Sequence, residues 1–323
     1  MRVTRRRFLK SGVAVAAGIA GLPLLGKGVS AQMKGKVGYM KIVDNASLFV
    51  AQEKGFFRRE GIELEMVPMV GGAAISPAVA SGDLQVGWNN VVSMYQAHVE
   101  GFDFKFITGG ATNVRGTNDT HAIQVLRDSP IRTAKDLEGK TVATNTLNNI
   151  VHLMAMAWID QNGGDPSKVK FVELPFPQME AALVAKNVDA ISTHEPFVAI
   201  PTGRGTTRIL AHNWGAVVPR FLIASWFASE KWIQRNKETC QAFIRATSQG
   251  IDAINADMAG ARALMVKWTG LSPDLVQKVA MPVYEKNVKP GDLQVTIDLT
   301  HKYKLISRAF RAAEVISDLA PVA

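Results

Sequence analysis

Cysteine is almost missing: Cys240 is the only one in 323 residues. One thiol forms no internal disulfide, whatever the redox compartment. Histidine is scarce as well. The six, at 98, 121, 152, 194, 212 and 301, show no ligand-like spacing such as H-x-x-x-H, so no metal site is expected. No glycine-rich loop ends in Lys-Ser or Lys-Thr, and Gly71-Gly72 alone is too little to hold a nucleotide. Past the N-terminal region, no charge-free apolar run approaches the roughly 20 residues of a spanning helix. Repeats, low-complexity tracts and blocks of like charge are absent. Neither a cofactor nor a metal is therefore expected.

What is present begins at the N-terminus. The residues Thr4-Arg5-Arg6-Arg7-Phe8-Leu9-Lys10 resemble a twin-arginine export signal. The apolar stretch that follows, residues 11–25, is diluted by Gly12, Gly18 and Gly21 and broken by Pro23. It is too short and too glycine-rich for a membrane anchor. Small residues at Val29 and Ala31 suit a signal peptidase. Residues 1–31 thus read as a signal peptide cleaved after Ala31.

Charge changes meaning once that segment is set aside. The chain holds 37 basic and 28 acidic residues. Residues 1–31 contain six of the basic ones (Arg2, Arg5, Arg6, Arg7, Lys10, Lys27) and no acidic one. Removing those six leaves 31 against 28, a net +3. The high pI is an attribute of the signal, and nucleic acid is not an expected partner. No cysteine stands at the cleavage site, so lipid anchoring is not expected. The expectation is a free periplasmic monomer, not embedded in the membrane.

The rest alternates between strand and helix patterns. Val37–Met40 reads as a strand, then Asn45 as the N-cap of a helix over residues 46–58. Residues 62–67 alternate as a strand. A helix over 73–81, a strand over 84–88, a helix over 93–100 and a strand over 104–107 follow. Further on come strands at 141–143, 169–172 and 190–192, and helices at 149–162 and from Pro177 onward. Ile150, Leu153, Met154, Ala157 and Trp158 form one apolar face. Past Trp226 the chain reads as mainly helical, with Cys240, Phe243, Ile244, Thr247 and Ile251 on one stripe. Two βαβ blocks imply an α/β protein with two open, mostly parallel sheets.

Ligands of such sheets bind beyond the carboxyl ends of the strands. That rule selects loops rich in Asn, Thr and Gly. The candidate ligand-binding residues are Asn45, Gly72, Ala73, Trp88, Asn89, Asn90, Thr112, Asn113, Thr146, Asn148, Asn149, Glu195 and Trp226. Several sit at helix N-termini, where free N–H groups favour partial negative charge.

Several short motifs then converge in order and spacing. They are Ala51-Gln52-Glu53-Lys54-Gly55-Phe56-Phe57 with Glu60-Gly61-Ile62, Ala80-Ser81-Gly82-Asp83, and Asp136-Leu137-Glu138-Gly139-Lys140. Leu174-Pro175-Phe176-Pro177 and Val188-Asp189-Ala190 leading to Glu195-Pro196-Phe197 complete the set. Over roughly residues 34–250 the chain resembles the periplasmic substrate-binding proteins of ABC importers for nitrate, sulfonates, taurine and thiamine pyrimidine precursors. The resemblance implies a type II periplasmic-binding fold, two lobes joined by hinge strands. Lobe 1 would hold 32–125 and 212–323, and lobe 2 would hold 126–211. The strands at 121–126 and 221–226 would cross between them. It also implies an ABC permease in the inner membrane as partner.

Each candidate has a bland counterpart. Asn148 and Asn149 bind ligand or cap a helix. Glu195 accepts from a ligand amino group or pins its own loop. His152 and His194 read as structural, and core packing is the expected role of at least one of Trp88 and Trp226. Arg115 is a candidate anion partner by position, or a solvated surface residue. Cys240, in the middle of a helix stripe, reads as a small core residue. The same fold includes cysteine-dependent enzymes, but no loop here carries a counterpart nucleophile. The first reading is a non-catalytic solute-binding protein. An exported enzyme on this scaffold and a ligand-presenting sensor are the alternatives. With few basic residues in the candidate loops, a small organic solute fits better than a highly charged anion, and a sulfonate held on backbone N–H groups is the alternative.

Overall fold

The computed structural model describes residues 33–117 and 119–323. The expected export signal and its cleavage site lie outside them. Eleven strands are described: β1 (Met33–Tyr39), β2 (Ile62–Pro68), β3 (Val86–Asn90), β4 (Phe104–Val114), β5 (His121–Leu126), β6 (Thr141–Thr144), β7 (Lys170–Glu173), β8 (Ala190–His194), β9 (Thr207–Ala211), β10 (Arg220–Ser229) and β11 (Val283–Tyr284). They form two sheets. One has six strands in the order β11-β4-β10-β3-β1-β2, the other five in the order β7-β6-β8-β5-β9.

Each sheet is built on a parallel block. β1 pairs in parallel with β2 and β3, and β6 in parallel with β7 and β8. Antiparallel strands extend each block: β10, β4 and β11 in the first, β5 and β9 in the second. The crossover helices of the parallel blocks are α1 (Ala46–Glu53), α2 (Phe56–Arg59) and α3 (Gly72–Ser81) in the first and α5 (Ile150–Gln161) and α6 (Phe176–Val184) in the second, while α4 (Val91–Val99) leads from β3 to β4.

The periodicity of 46–58 suggests one helix, but the structure breaks it. Gly55 takes φ +70°, a left-handed conformation that L side chains rarely adopt, and separates α1 from α2. Phe49, Val50, Phe56 and Phe57 are nonetheless all buried, so the apolar stripe survives the break. The stripe at Cys240, Phe243, Ile244, Thr247 and Ile251 is likewise buried, on the helix Lys237–Ala256 that packs against α1.

The strands at 121–126 and 221–226, expected to cross between lobes, do not. β5 pairs with β8 and β9 within the second sheet, and β10 with β3 and β4 within the first. The chain passes from one sheet to the other between Val114 and His121 and again between Ala211 and Arg220. Arg115 fastens these two passages together. Its Nε donates to Gly215 O at 2.5 Å and a terminal nitrogen to Ala216 O at 3.0 Å. Arg115 is exposed, as the sequence suggests, and also ties the two connections together.

Candidate ligand-binding site

The carboxyl ends of β1, β3, β6 and β8 converge on one chamber between the two sheets. Met40, Ile42 and Asp44 enter from the turn after β1, and Trp88, Asn89 and Asn90 from β3 itself. Gly72 and Ala73 open α3, and Ser93 lies in the first turn of α4. From the second sheet come Asn145, Thr146, Asn149, Ile150 and Val151 around the start of α5, then Phe176 and His194. Trp214, Ile223 and Ala224 complete the wall. The chamber encloses about 50 Å³.

Asp44 and His194 meet across it. His194 Nε2–H donates to Asp44 Oδ1 at 2.8 Å, with both side chains buried. The bond joins the turn after β1 to the end of β8, and therefore one sheet to the other. Behind it, the Trp214 ring lies against two imidazoles, 4.3 Å from His121 and 5.3 Å from His194, whose own centroids are 6.1 Å apart. His121 Nδ1–H donates to Asn213 Oδ1 at 2.9 Å. Burial first, then the neighbouring His194, holds His121 well below the ordinary imidazole pKa.

The asparagines of the chamber mostly serve one another. Asn149 caps α5: its Oδ1 accepts from Val151 N–H at 2.9 Å and His152 N–H at 3.1 Å, while its amide donates to Asn145 Oδ1. Asn90 Oδ1 accepts from Ser93 N–H at 3.1 Å, capping α4, and from Ile150 N–H at 3.3 Å across the cleft. Asn89 donates to Ser76 Oγ at 2.8 Å and accepts from Asn90 N–H at 2.8 Å. A Cβ at Gly72 would lie 1.8 Å from Asn89 Oδ1, so only glycine lets α3 begin this close to β3. Further cross-cleft ties run from Gln96 Nε2 to Asn148 O at 2.8 Å and from Tyr303 Oη to Asp160 Oδ2 at 2.6 Å.

Seven expected residues line the chamber: Gly72, Ala73, Trp88, Asn89, Asn90, Thr146 and Asn149. Six lie elsewhere. Asn45 turns back to accept from Met40 N–H at 2.7 Å and does not cap α1. Thr112 and Asn113 looked like loop residues, but β4 runs on to Val114, pairing with β10 through both of them. Asn148 is exposed, with φ +60°, and donates its N–H to His152 Nδ1 at 3.0 Å. Glu195 is buried and accepts from Ala199 N–H at 3.0 Å and Ala280 N–H at 3.2 Å. It pins its own loop to the C-terminal region, and burial raises its pKa. Trp226 packs against Trp88 at 4.8 Å and donates to Ser47 Oγ at 3.3 Å behind the wall.

Sequence reasoning left out the apolar wall, Met40, Ile42, Phe176, Trp214 and Ile223, because such residues read equally well as core. Asp44 and His194 stood in the selected loops, but neither was chosen. Their positions at strand ends were the available signal.

Cys240 is buried, and burial pushes its thiol up to about 12, far from the thiolate that nucleophilic chemistry needs. Among the described residues, no group of three His, Cys, Asp or Glu is placed to hold a metal ion, and no helix is long and apolar enough to cross a membrane.

Known proteins share both sequence and fold with this chain. The family model described as NMT1/THI5 like matches residues 43–261. A Brachyspira hyodysenteriae protein named as an ABC transporter periplasmic binding protein is 27% identical over 293 residues, covering 84% of this chain and 83% of its own. The alkanesulfonate-binding protein SsuA from Xanthomonas axonopodis pv. citri, solved bound to MOPS, superposes with a TM-score of 0.76 at 21% identity. That match covers 89% of this chain and 99% of SsuA. The periplasmic nitrate-binding protein NrtA from Synechocystis PCC 6803 gives a TM-score of 0.74 at 13% identity, covering 89% and 86%. Two sheets with flanking helices, arranged as in these proteins, make this the periplasmic-binding-protein fold.

Proposed function

We propose, for a chain that belongs to the NMT1/THI5-like family, that it is a periplasmic solute-binding protein of an ABC importer. It captures a small organic solute between two lobes and delivers it to an inner-membrane permease. The observation that carries this reading is the chamber between the sheets, spanned by the Asp44–His194 and Asn90–Ile150 hydrogen bonds. Groups from both sheets meet there, as a closing trap requires. The similar proteins named for periplasmic, alkanesulfonate and nitrate binding support the same role.

Strand membership supports a boundary slightly different from the expected one. Lobe 1 then takes residues 33–114 and 220–323, and lobe 2 takes 121–211, with the hinge in the two passages that Arg115 joins. Export by the twin-arginine route with cleavage after Ala31 is part of the proposal and rests on the N-terminal residues. The buried thiol of Cys240 favours capture over catalysis.

A thermal-shift screen against organic solutes, sulfonates, aromatic acids, pyrimidines and nitrate tests the reading. One solute at about 100 times its Kd should stabilise the protein by about 2.7 kcal/mol and be recovered unchanged. Conversion of the solute into a product would sink the binding-protein reading.

A further inference from the structure

The chamber is not isolated. Met40, Ile42 and Phe176 belong both to its wall and to a second, wider cavity of about 430 Å³. This vestibule runs between the turn after β2 and the start of α6. Pro68, Met69 and Val70 form one bank, and Pro175, Pro177 and Phe197 the other. Its surface is almost wholly apolar. Val70 is 83% exposed, and the Phe176 ring stacks on Phe197 at 5.6 Å. Lys41 supplies the one charge.

The chamber has the opposite chemistry. No lysine or arginine lines it, and its ionisable residues are Asp44 and His194, already paired. An anion seated there would meet the Asp44 carboxylate with no basic side chain to offset it, only neutral N–H donors and the His194 proton. A cation would compete with His194 for that carboxylate. An uncharged group avoids both costs, provided its donor and acceptor find partners.

Partners are available on the wall. The first three N–H groups of α5 are already satisfied by Asn90 and Asn149. α3 differs, because it starts after Gly71 with no side-chain cap, and Gly72 and Ala73 line the chamber. His194 Nδ1 and Trp214 Nε1 are buried ring nitrogens without a partner on two chamber-lining residues. Donors and an acceptor therefore belong to the residues that wall a space fit for a head group of a few atoms. A whole drug-sized solute takes about 300 Å³ or more.

We propose that the ligand is two-part: an uncharged head bearing both a hydrogen-bond donor and an acceptor, seated in the chamber, and an apolar tail lying in the vestibule. This inference rests on the solute-capture reading above and names its substrate class.

Two matched series test it by calorimetry: primary amides from propionamide to hexanamide, and alkanesulfonates from propane- to hexanesulfonate. Amide affinity should rise roughly fourfold per added methylene until the vestibule is filled. Val70→Asp, at an exposed position and checked for folding by circular dichroism, should flatten that slope. Sulfonates of equal length should bind at least about tenfold more weakly. Sulfonate binding as tight as amide binding, abolished by Lys41→Ala, would overturn the head assignment while solute capture stands. Amide affinity independent of chain length would overturn the tail assignment. If no amide binds, the proposed class is wrong, and if nothing in the broader screen binds either, capture itself fails.

Discussion

Asp44 and His194 share a buried hydrogen bond between the two sheets, where water cannot replace either partner. Asp44→Asn keeps the shape and an acceptor but removes the charge. A hydrogen bond to a charged group contributes about 1.5–3 kcal/mol. The unfolding free energy of the variant should fall by about 1.5–3 kcal/mol, read as a lower urea midpoint with the m-value unchanged. An unaltered midpoint would show that the pair stabilises nothing. The other buried imidazoles set a pH dependence. His152 accepts Asn148 N–H on Nδ1, which requires it neutral, and burial lowers its pKa to about 4. His121 is also held well below 6.5. The unfolded chain therefore takes up protons first as pH falls below about 6.5, and stability falls until the folded values are reached. Glu195 acts in the opposite sense, because its raised pKa lets the folded state take up a proton first as pH falls toward 4.5. His152→Gln should lessen the loss between pH 6.5 and 4 by about 1.4 kcal/mol per pH unit. A chemical denaturation series across that window checks it, and an unchanged slope would refute the assignment.

The element that organises the cleft is α5. Its first three N–H groups are held by Asn149 from within and by Asn90 from the opposite sheet. Asn149→Ala should cost about 1 kcal/mol as a lost N-cap. It should also weaken solute binding, since the freed N–H groups alter the chamber wall; wild-type affinity in a destabilised variant would confine Asn149 to capping. The sequence offered this cap as one of two roles for Asn149, and most elements were legible, because strand alternation and the 3.6-residue stripe of 150–158 are local signals. What local signals cannot report is pairing. β4 extends through Thr112 and Asn113 because β10 lies beside them, and nothing in those two residues announces a strand. Asn45 had the chemistry of a cap, but Met40 N–H lay nearer. About half of the candidate site was legible for the same reason. Polar residues at strand ends advertise themselves, whereas Ile42, Phe176 and Trp214 become a ligand wall only once the sheets face each other.

At the scale of the molecule, two sheets are joined by two passages that Arg115 ties together, and the chamber lies between them. Hydrogen bonds that run from one sheet's side to the other's include Asp44–His194, Asn90–Ile150, Gln96–Asn148 and Tyr303–Asp160. On the proposed reading the two passages are a hinge between an open and a closed form, and opening must also part buried apolar side chains of the two sheets, Ile150 and Met154 among them. A solute shifts that equilibrium only through its greater affinity for the closed form. The most direct measurement is small-angle X-ray scattering during titration with a solute that stabilises the protein. The account predicts a radius of gyration that decreases on binding, with the same midpoint as the thermal shift and the solute recovered intact. A radius that does not change at saturation, or a solute returned as product, would contradict it.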